Sequence, residues 1–134
     1  MNDNNSELKP MKIYIAGPYS GKTCREVEQN IKKGLDAFLE IIRKGHFPFL
    51  PHLMHYPYIH SKREIHYMEW LIQVAEWLKS CDAVLMIGRW KKSSGASFEH
   101  YLARMYGKKI FYKLEEIPEI RKEHDFRDTI ALVE

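Results

Sequence analysis

Three stretches of the 134-residue chain carry side chains at spacings that chemistry uses. The most informative runs from Cys81-Asp82-Ala83-Val84-Leu85-Met86-Ile87 through Gly88-Arg89-Trp90-Lys91-Lys92-Ser93-Ser94 to Gly95-Ala96-Ser97-Phe98-Glu99-His100. An apolar run delivers a polar loop, and a Gly-Ala pair lets a helix start tightly against it. Glu99 then stands in the first turn or two of that helix, near the carboxyl end of a strand. A carboxylate at that address reads either as an active-site acid or as an acid favoured by the helix dipole, and position alone does not choose. The second stretch, Ala16-Gly17-Pro18-Tyr19-Ser20-Gly21-Lys22-Thr23, follows a strand and opens a helix, the context of a phosphate-binding loop. It misses that pattern. The first glycine should stand where Ala16 is, Gly17 comes one place late, and Pro18 removes a backbone donor from the cradle. No aspartate closes a later strand to hold magnesium, so a nucleoside triphosphatase is not the reading. A helix N-terminus that takes some phosphate, or simply a tight turn needing two glycines, remains. The third feature is a set of histidines, His46, His52, His55, His60 and His66. Their spacing fits no standard zinc pattern, there are no partner cysteines, and the expectation is hydrogen-bonded or solvated rings with no metal, His52 or His55 lining a pocket.

The elements that must position these residues alternate regularly. Lys12 to Ala16 is a short buried strand closed by Gly17-Pro18. From Thr23 the residues Val27, Ile31, Leu35, Phe38, Ile41 and Ile42 recur at three- and four-residue steps up to Gly45, predicting a long amphipathic helix with a glycine cap. His46 to Leu50 is a second strand whose Pro48 confines it to an edge or makes it a strand start, and Pro51 to Lys62 reads as an aromatic loop serving as a lid or pocket wall. Tyr67, Leu71, Val74 and Leu78, with Trp70 and Trp77 on a neighbouring stripe, predict a second helix. Ala83 to Ile87 is the central strand, Gly88 to Ser94 a loop, Gly95 to Tyr106 a third helix capped by Gly107, and Lys109 to Tyr112 a fourth strand. Leu114 to Glu134 is expected to be helical and charged. The order βαβαβαβ implies an α/β fold, a single-domain flavodoxin-like or Rossmann-like parallel sheet flanked by helices, with ligands at the carboxyl ends of the strands.

Composition limits the classes. With 45% hydrophobic and 29% charged residues the chain is not disordered. It suffices to bury roughly two-thirds of its unfolded surface around one core. The net charge of +3 mildly favours an anionic ligand but is no footprint for a nucleic acid polymer. No stretch is long and apolar enough to span a membrane, Met1 to Pro10 is a polar tail without a secretory pattern, and the expected location is cytoplasmic. Residues 11–134 are then the folded domain. Cys24 and Cys81, the two cysteines, are expected to be reduced.

Over about Met11 to Tyr112 the sequence resembles the nucleoside 2-deoxyribosyltransferase-like superfamily, which includes the 2′-deoxynucleoside 5′-phosphate N-hydrolases and small uncharacterised relatives. The resemblance rests on Ile13-Tyr14-Ile15-Ala16-Gly17-Pro18, on Gly45-His46 and Pro51-His52, and on Leu78 through Cys81-Asp82-Ala83 into Trp90, Ser94-Gly95-Ala96, Glu99 and Ala103, with Gly107-Lys108 closing. It implies that Glu99 is a nucleophile that attacks the anomeric carbon and forms a glycosyl-enzyme ester, later opened by water or another base. It implies that Tyr14 positions that carboxylate, against the plain alternative of an aromatic packed over the sheet. Gly17 and the turn through Ser20 and Gly21 would border the sugar. Ser93 stands where transferases acting on free nucleosides carry an aspartate and the monophosphate hydrolases a serine. Ser93, Ser94, the amides at Gly95, and Lys22, Lys91 or Lys92 are accordingly the candidate phosphate ligands. Trp90 either walls the base pocket by stacking or caps the core. Val74 departs from the pattern, because many members carry there an aspartate that contacts the sugar or helps protonate the base; Glu69, Gln73 or a neighbouring subunit would have to substitute. Asp82 is read as capping its strand.

The expected function is cleavage of the N-glycosidic bond of a (2′-deoxy)nucleoside 5′-monophosphate without metal or organic cofactor. Base exchange between nucleosides is the first alternative, and a non-catalytic nucleotide-sensing module is the second. The expected partners are the small-molecule substrate and further copies of the chain, in a homodimer or higher oligomer, with no nucleic acid polymer and no membrane.

Overall fold

Four parallel strands make one sheet in the order β2-β1-β3-β4. In the computed structural model the chain is described over residues 8–60, 65–120 and 131–133. The strands are β1 (Lys12–Ala16), β2 (Phe47–Phe49), β3 (Ala83–Met86) and β4 (Lys109–Phe111), and the helices are α1 (Cys24–Lys44), α2 (His55–His60), α3 (Tyr67–Lys79) and α4 (Ser94–Met105). β1 and β3 are central and pair in register from Ile13 with Ala83 to Ala16 with Met86. β2 lies at the edge, where a strand proline such as Pro48 removes no ladder donor that a second neighbour would need.

The period of two along β1 divides the core. Ile13 and Ile15 face one side with Ala83 and Leu85, against Ala37 and Ile41 of α1 and Ile117. Tyr14 and Ala16 face the other with Val84 and Met86, against Val74 and Leu78 of α3 and Ala96, Leu102 and Ala103 of α4. The sheet is therefore covered on both faces, as a parallel sheet requires. Thr23 caps α1 by accepting from the Glu26 amide, and Gly45, in the left-handed conformation at φ 98°, ends it. Asp82 ties β3 to β1, its carboxylate accepting from the Lys12 amide at 2.8 Å, which is the strand-capping role read from the sequence.

Several expectations need correction. Pro51 to Lys62 is not a loop over its described part: Pro51–Met54 is a 3₁₀ turn and His55–His60 is α2, with residues 61–62 outside the described set. Pro51 and Pro57 each stand in a first turn, where the missing amide is an orphan anyway, so both prolines are compatible with the helical turns they open. The third predicted helix starts one residue earlier, at Ser94, with Ser93 as its cap accepting from the Ala96 amide at 3.1 Å. Gly95 does not enable close packing, since a Cβ there would meet nothing within 4 Å; the tight position is Ala96, 1% exposed. Ile42 lies outside the buried stripe of α1. The segment after β4 is a 3₁₀ turn, Leu114–Glu116, followed by irregular chain to residue 120, and only 131–133 are helical there. Residues 121–130 and 134 of the predicted helical tail, and residues 1–7 of the predicted N-terminal tail, lie outside the described residues. Among those described, no helix is long and apolar enough to cross a membrane.

Candidate active site

The buried stripe of α4 runs Ala96, Glu99, Leu102 and Ala103, so the helical period carries one carboxylate into the interior. Glu99 is 8% exposed, and the facing residue on β1 is Tyr14, fully buried. The Tyr14 hydroxyl donates to Glu99 Oε2. Burial pushes the Glu99 carboxyl up to about 8 from 4.5, against the Tyr14 hydrogen bond, which favours the anion. The same burial, with the facing carboxylate, raises the Tyr14 hydroxyl well above its ordinary value, so Tyr14 is the donor of the pair. Phe49 supports Tyr14 at 5.7 Å between ring centroids and is itself stacked on Trp77 at 4.7 Å.

Glu99 borders a cavity of about 80 Å³ shared with Pro51, His52, Trp70, Val74 and Gly95. His52 is 3% exposed, its Nε2 donating to the Pro18 carbonyl at 2.9 Å. That bond leaves Nδ1 as a buried lone pair with no hydrogen-bond partner among the described residues, and burial lowers the ring's proton affinity, so His52 is neutral. Val74, 6% exposed, contributes an apolar side chain to the wall of this cavity.

A second, larger cavity of about 500 Å³ lies where the loops after β1 and β3 meet α1. Ser20, Lys33, Arg89, Lys92, Ser93 and Ser94 line it. The two cavities adjoin: Ser94 lines one and the next residue, Gly95, the other, while Pro18 of the larger is hydrogen-bonded to His52 of the smaller. Asn30 of α1 fixes the first loop, donating to the carbonyls of Tyr19 at 3.1 Å and Ser20 at 3.2 Å.

Of the residues singled out in the sequence, the structure brings Tyr14 and Glu99 together, and Ser20, Ser93 and Ser94 to the larger cavity. Gly17 is required by close approach, a Cβ there lying 2.4 Å from Ile87 Cγ1. Gly21 similarly clears Glu26. Lys22 donates its amide to the Glu26 carboxylate, and its side chain lines neither cavity. Trp90 is also outside both: its ring lies 4.4 Å from His100 and 6.2 Å from Tyr112, with Lys91 Nζ 5.7 Å above it. His46 is fully engaged, accepting from the Met11 amide at 3.0 Å and donating to the Pro118 carbonyl at 2.6 Å, and the described residues hold no group of three metal ligands. Sequence reasoning missed Lys33, Asn30 and Arg89. The i, i+3 spacing of Asn30 and Lys33 places both on one face of α1, but only the return of the β3 loop shows which face matters.

A family model described as Domain of unknown function (DUF4406) matches residues 11–112. Among solved structures, the 2-deoxyribosyltransferase from the psychrotolerant bacterium Bacillus psychrosaccharolyticus is similar, with a TM-score of 0.53 and 23% sequence identity over 74% of this chain and 69% of that one. The chain thus has the parallel α/β fold of that protein. No curated protein matches it in sequence.

Proposed function

We propose, from the premise that the chain belongs to the DUF4406 family, that it cleaves the N-glycosidic bond of a nucleoside 5′-monophosphate with Glu99 as nucleophile. The observation that carries this reading is a buried carboxylate held by Tyr14 at the edge of a small cavity, with a second cavity lined by Lys33, Arg89 and Lys92 beyond the neighbouring Ser94. The similar structure supports it, being that of a 2-deoxyribosyltransferase.

In the first step the ionised Glu99 forms a bond to the anomeric carbon while the bond to the base breaks, the electron pair leaving with the base, whose ring nitrogen takes a proton. Water then adds at the same carbon, the ester bond opens, the Glu99 carboxylate returns and a proton is released, with configuration retained. Tyr14 donates to the oxygen that is not attacking and keeps the carboxyl in one rotamer. The phosphate would sit in the larger cavity, where Ser94, Lys92 and the amides opening α4 are all donors and no carboxylate lines the wall. The absence of a lining carboxylate among the described residues supports a monophosphate over a free nucleoside. No metal or organic cofactor enters these steps.

The test is incubation with ribo- and 2′-deoxyribonucleoside 5′-monophosphates, with and without a second free base, followed by chromatography. Free base released without an acceptor, and lost in Glu99→Ala, is the expected result. Base exchange that requires the acceptor would support the second reading, a transferase, which the similar structure's own activity favours. Tight monophosphate binding with no turnover would support a sensor, the reading that Val74 in the cavity wall favours.

A homodimer or larger assembly accompanies this proposal. Met68, Ile72 and Trp77 of α3 and Tyr101 and Met105 of α4 are each at least half exposed, an apolar surface suited to a second copy. Light scattering should give a mass of at least about twice 16.0 kDa; a monomer at micromolar concentration would refute it.

A further inference from the structure

We propose that the larger cavity also takes a second phosphoryl group, so that a nucleoside 5′-diphosphate or triphosphate is preferred to the monophosphate; this rests on the glycosidic reading above and extends its substrate range. Lys33 comes from α1 and Arg89 and Lys92 from the loop after β3, so three cationic residues line the cavity from two separate walls. None has a carboxylate partner among the described residues, and no acidic residue lines the cavity. Elsewhere the same helix pairs its cation ordinarily: Arg43 meets Glu40 at 2.6 Å and Glu119 at 2.9 Å. Three like charges around one cavity repel unless an anion takes them.

The charge arithmetic separates the candidates. A phosphate monoester carries about two negative charges at neutral pH, and each added phosphoryl group about one more. Lys92 with the start of α4, whose dipole adds roughly half a charge, nearly satisfies a monoester and leaves Lys33 and Arg89 unmatched. A diphosphate engages all three. Size agrees: about 500 Å³ is available on the cationic side, against about 80 Å³ beside Glu99. The wall is also preformed, because Asn30 ties the Tyr19-Ser20 backbone to the helix that carries Lys33.

The experiment compares the mono-, di- and triphosphates of the four common ribo- and 2′-deoxyribonucleosides in two readouts. One is kcat/KM for base release by the full chain; the other is calorimetric affinity for the same ligands on Glu99→Gln. The expected result is a preference of about tenfold or more for the best diphosphate over its monophosphate, shrinking as salt is raised. Lys33→Gln with Arg89→Gln should lower the diphosphate value by about tenfold or more and the monophosphate value by less than about threefold, with an unchanged circular dichroism spectrum. Equal kcat/KM and equal affinity for mono- and diphosphate would overturn this proposal while leaving the glycosidic reading intact. Selective diphosphate binding with no base release from any nucleotide would do the reverse. Binding of no nucleotide at all would sink both.

Discussion

The two adjoining cavities solve opposite electrostatic problems. Beside Glu99 the wall is mostly apolar and burial pushes the one carboxyl up to about 8, which favours the neutral acid at pH 7. Across the Ser94-Gly95 boundary Lys33, Arg89 and Lys92 line the wall and no carboxylate faces them among the described residues. The comparison teaches where each side derives its specificity. In the proposed mechanism, dehydration in the small cavity would make the Glu99 carboxylate a stronger nucleophile at the cost of ionising it less often. In the same proposal the larger cavity would supply affinity through charge, apart from the reacting atoms.

The largest expected effect breaks the small cavity alone. Glu99→Gln should lower base release by at least about a thousandfold, because no other described carboxylate lines either cavity. The same substitution should stabilise the fold. Glu99 keeps its proton to higher pH in the folded chain than in the unfolded one, so its contribution is fully present below pH 4.5 and is lost as pH rises through about 8. The unfolding free energy of Glu99→Gln relative to wild type, from denaturant melts, should therefore climb between pH 5 and pH 9, by an amount on the order of a few kcal/mol at most. A difference independent of pH would show that Glu99 ionises normally and that its burial is not what sets its chemistry.

Next in size is the pair itself. kcat/KM should rise about tenfold per pH unit from pH 6 and level off near 8, since only the anion attacks. Tyr14→Phe removes the hydrogen bond that favours the anion, so the plateau should move to higher pH and the maximal rate should fall by roughly ten- to a hundredfold. An unmoved profile with a lower rate would make Tyr14 a packing residue, the plain alternative open from the sequence. On the other side, Lys92→Gln should raise KM for a monophosphate by about tenfold and leave kcat within about twofold, a split that the two-cavity division requires.

The fold was legible because its signals are periodic. The alternation in Ile13-Tyr14-Ile15-Ala16, the three- and four-residue steps to Gly45, and the apolar Ala83-Val84-Leu85-Met86 each name a period and a boundary, and all four strands and three long helices lie where those patterns put them. Pro51 to His60 was misread because a proline breaks a helix interior but suits a first turn, and sequence gives the residue before it gives the position. The Tyr14–Glu99 pair was legible only through the resemblance: a buried carboxylate on a helical stripe is visible as spacing, but its partner lies 85 residues away and pairing across that distance has no local signal. Lys33 and Arg89 carried no signal at all. An exposed lysine on a charged helix face is the commonest surface feature, and only the loop that returns from β3 gives this one a direction.

The smallest effects belong to two glycines that flank the site and that a sequence pattern cannot rank. A Cβ at Gly17 would lie 2.4 Å from Ile87 Cγ1 and 3.1 Å from the Ile87 carbonyl, near the root of a side chain and on backbone, neither of which swings away. Gly17→Ala should cost about 1–3 kcal/mol and push the β1 and β3 loops apart, a loss visible in denaturant melts. Gly95 faces open space near the start of α4, so Gly95→Ala should be neutral or add up to about 1 kcal/mol through helix propensity. Gly95 nonetheless lines the cavity of Glu99, the space that the proposed sugar would enter. Stability preserved with KM raised by a few fold would mark Gly95 as kept open for a ligand. Unchanged KM would mean that the sugar approaches Glu99 from the cationic side only, and that the small cavity serves to exclude water.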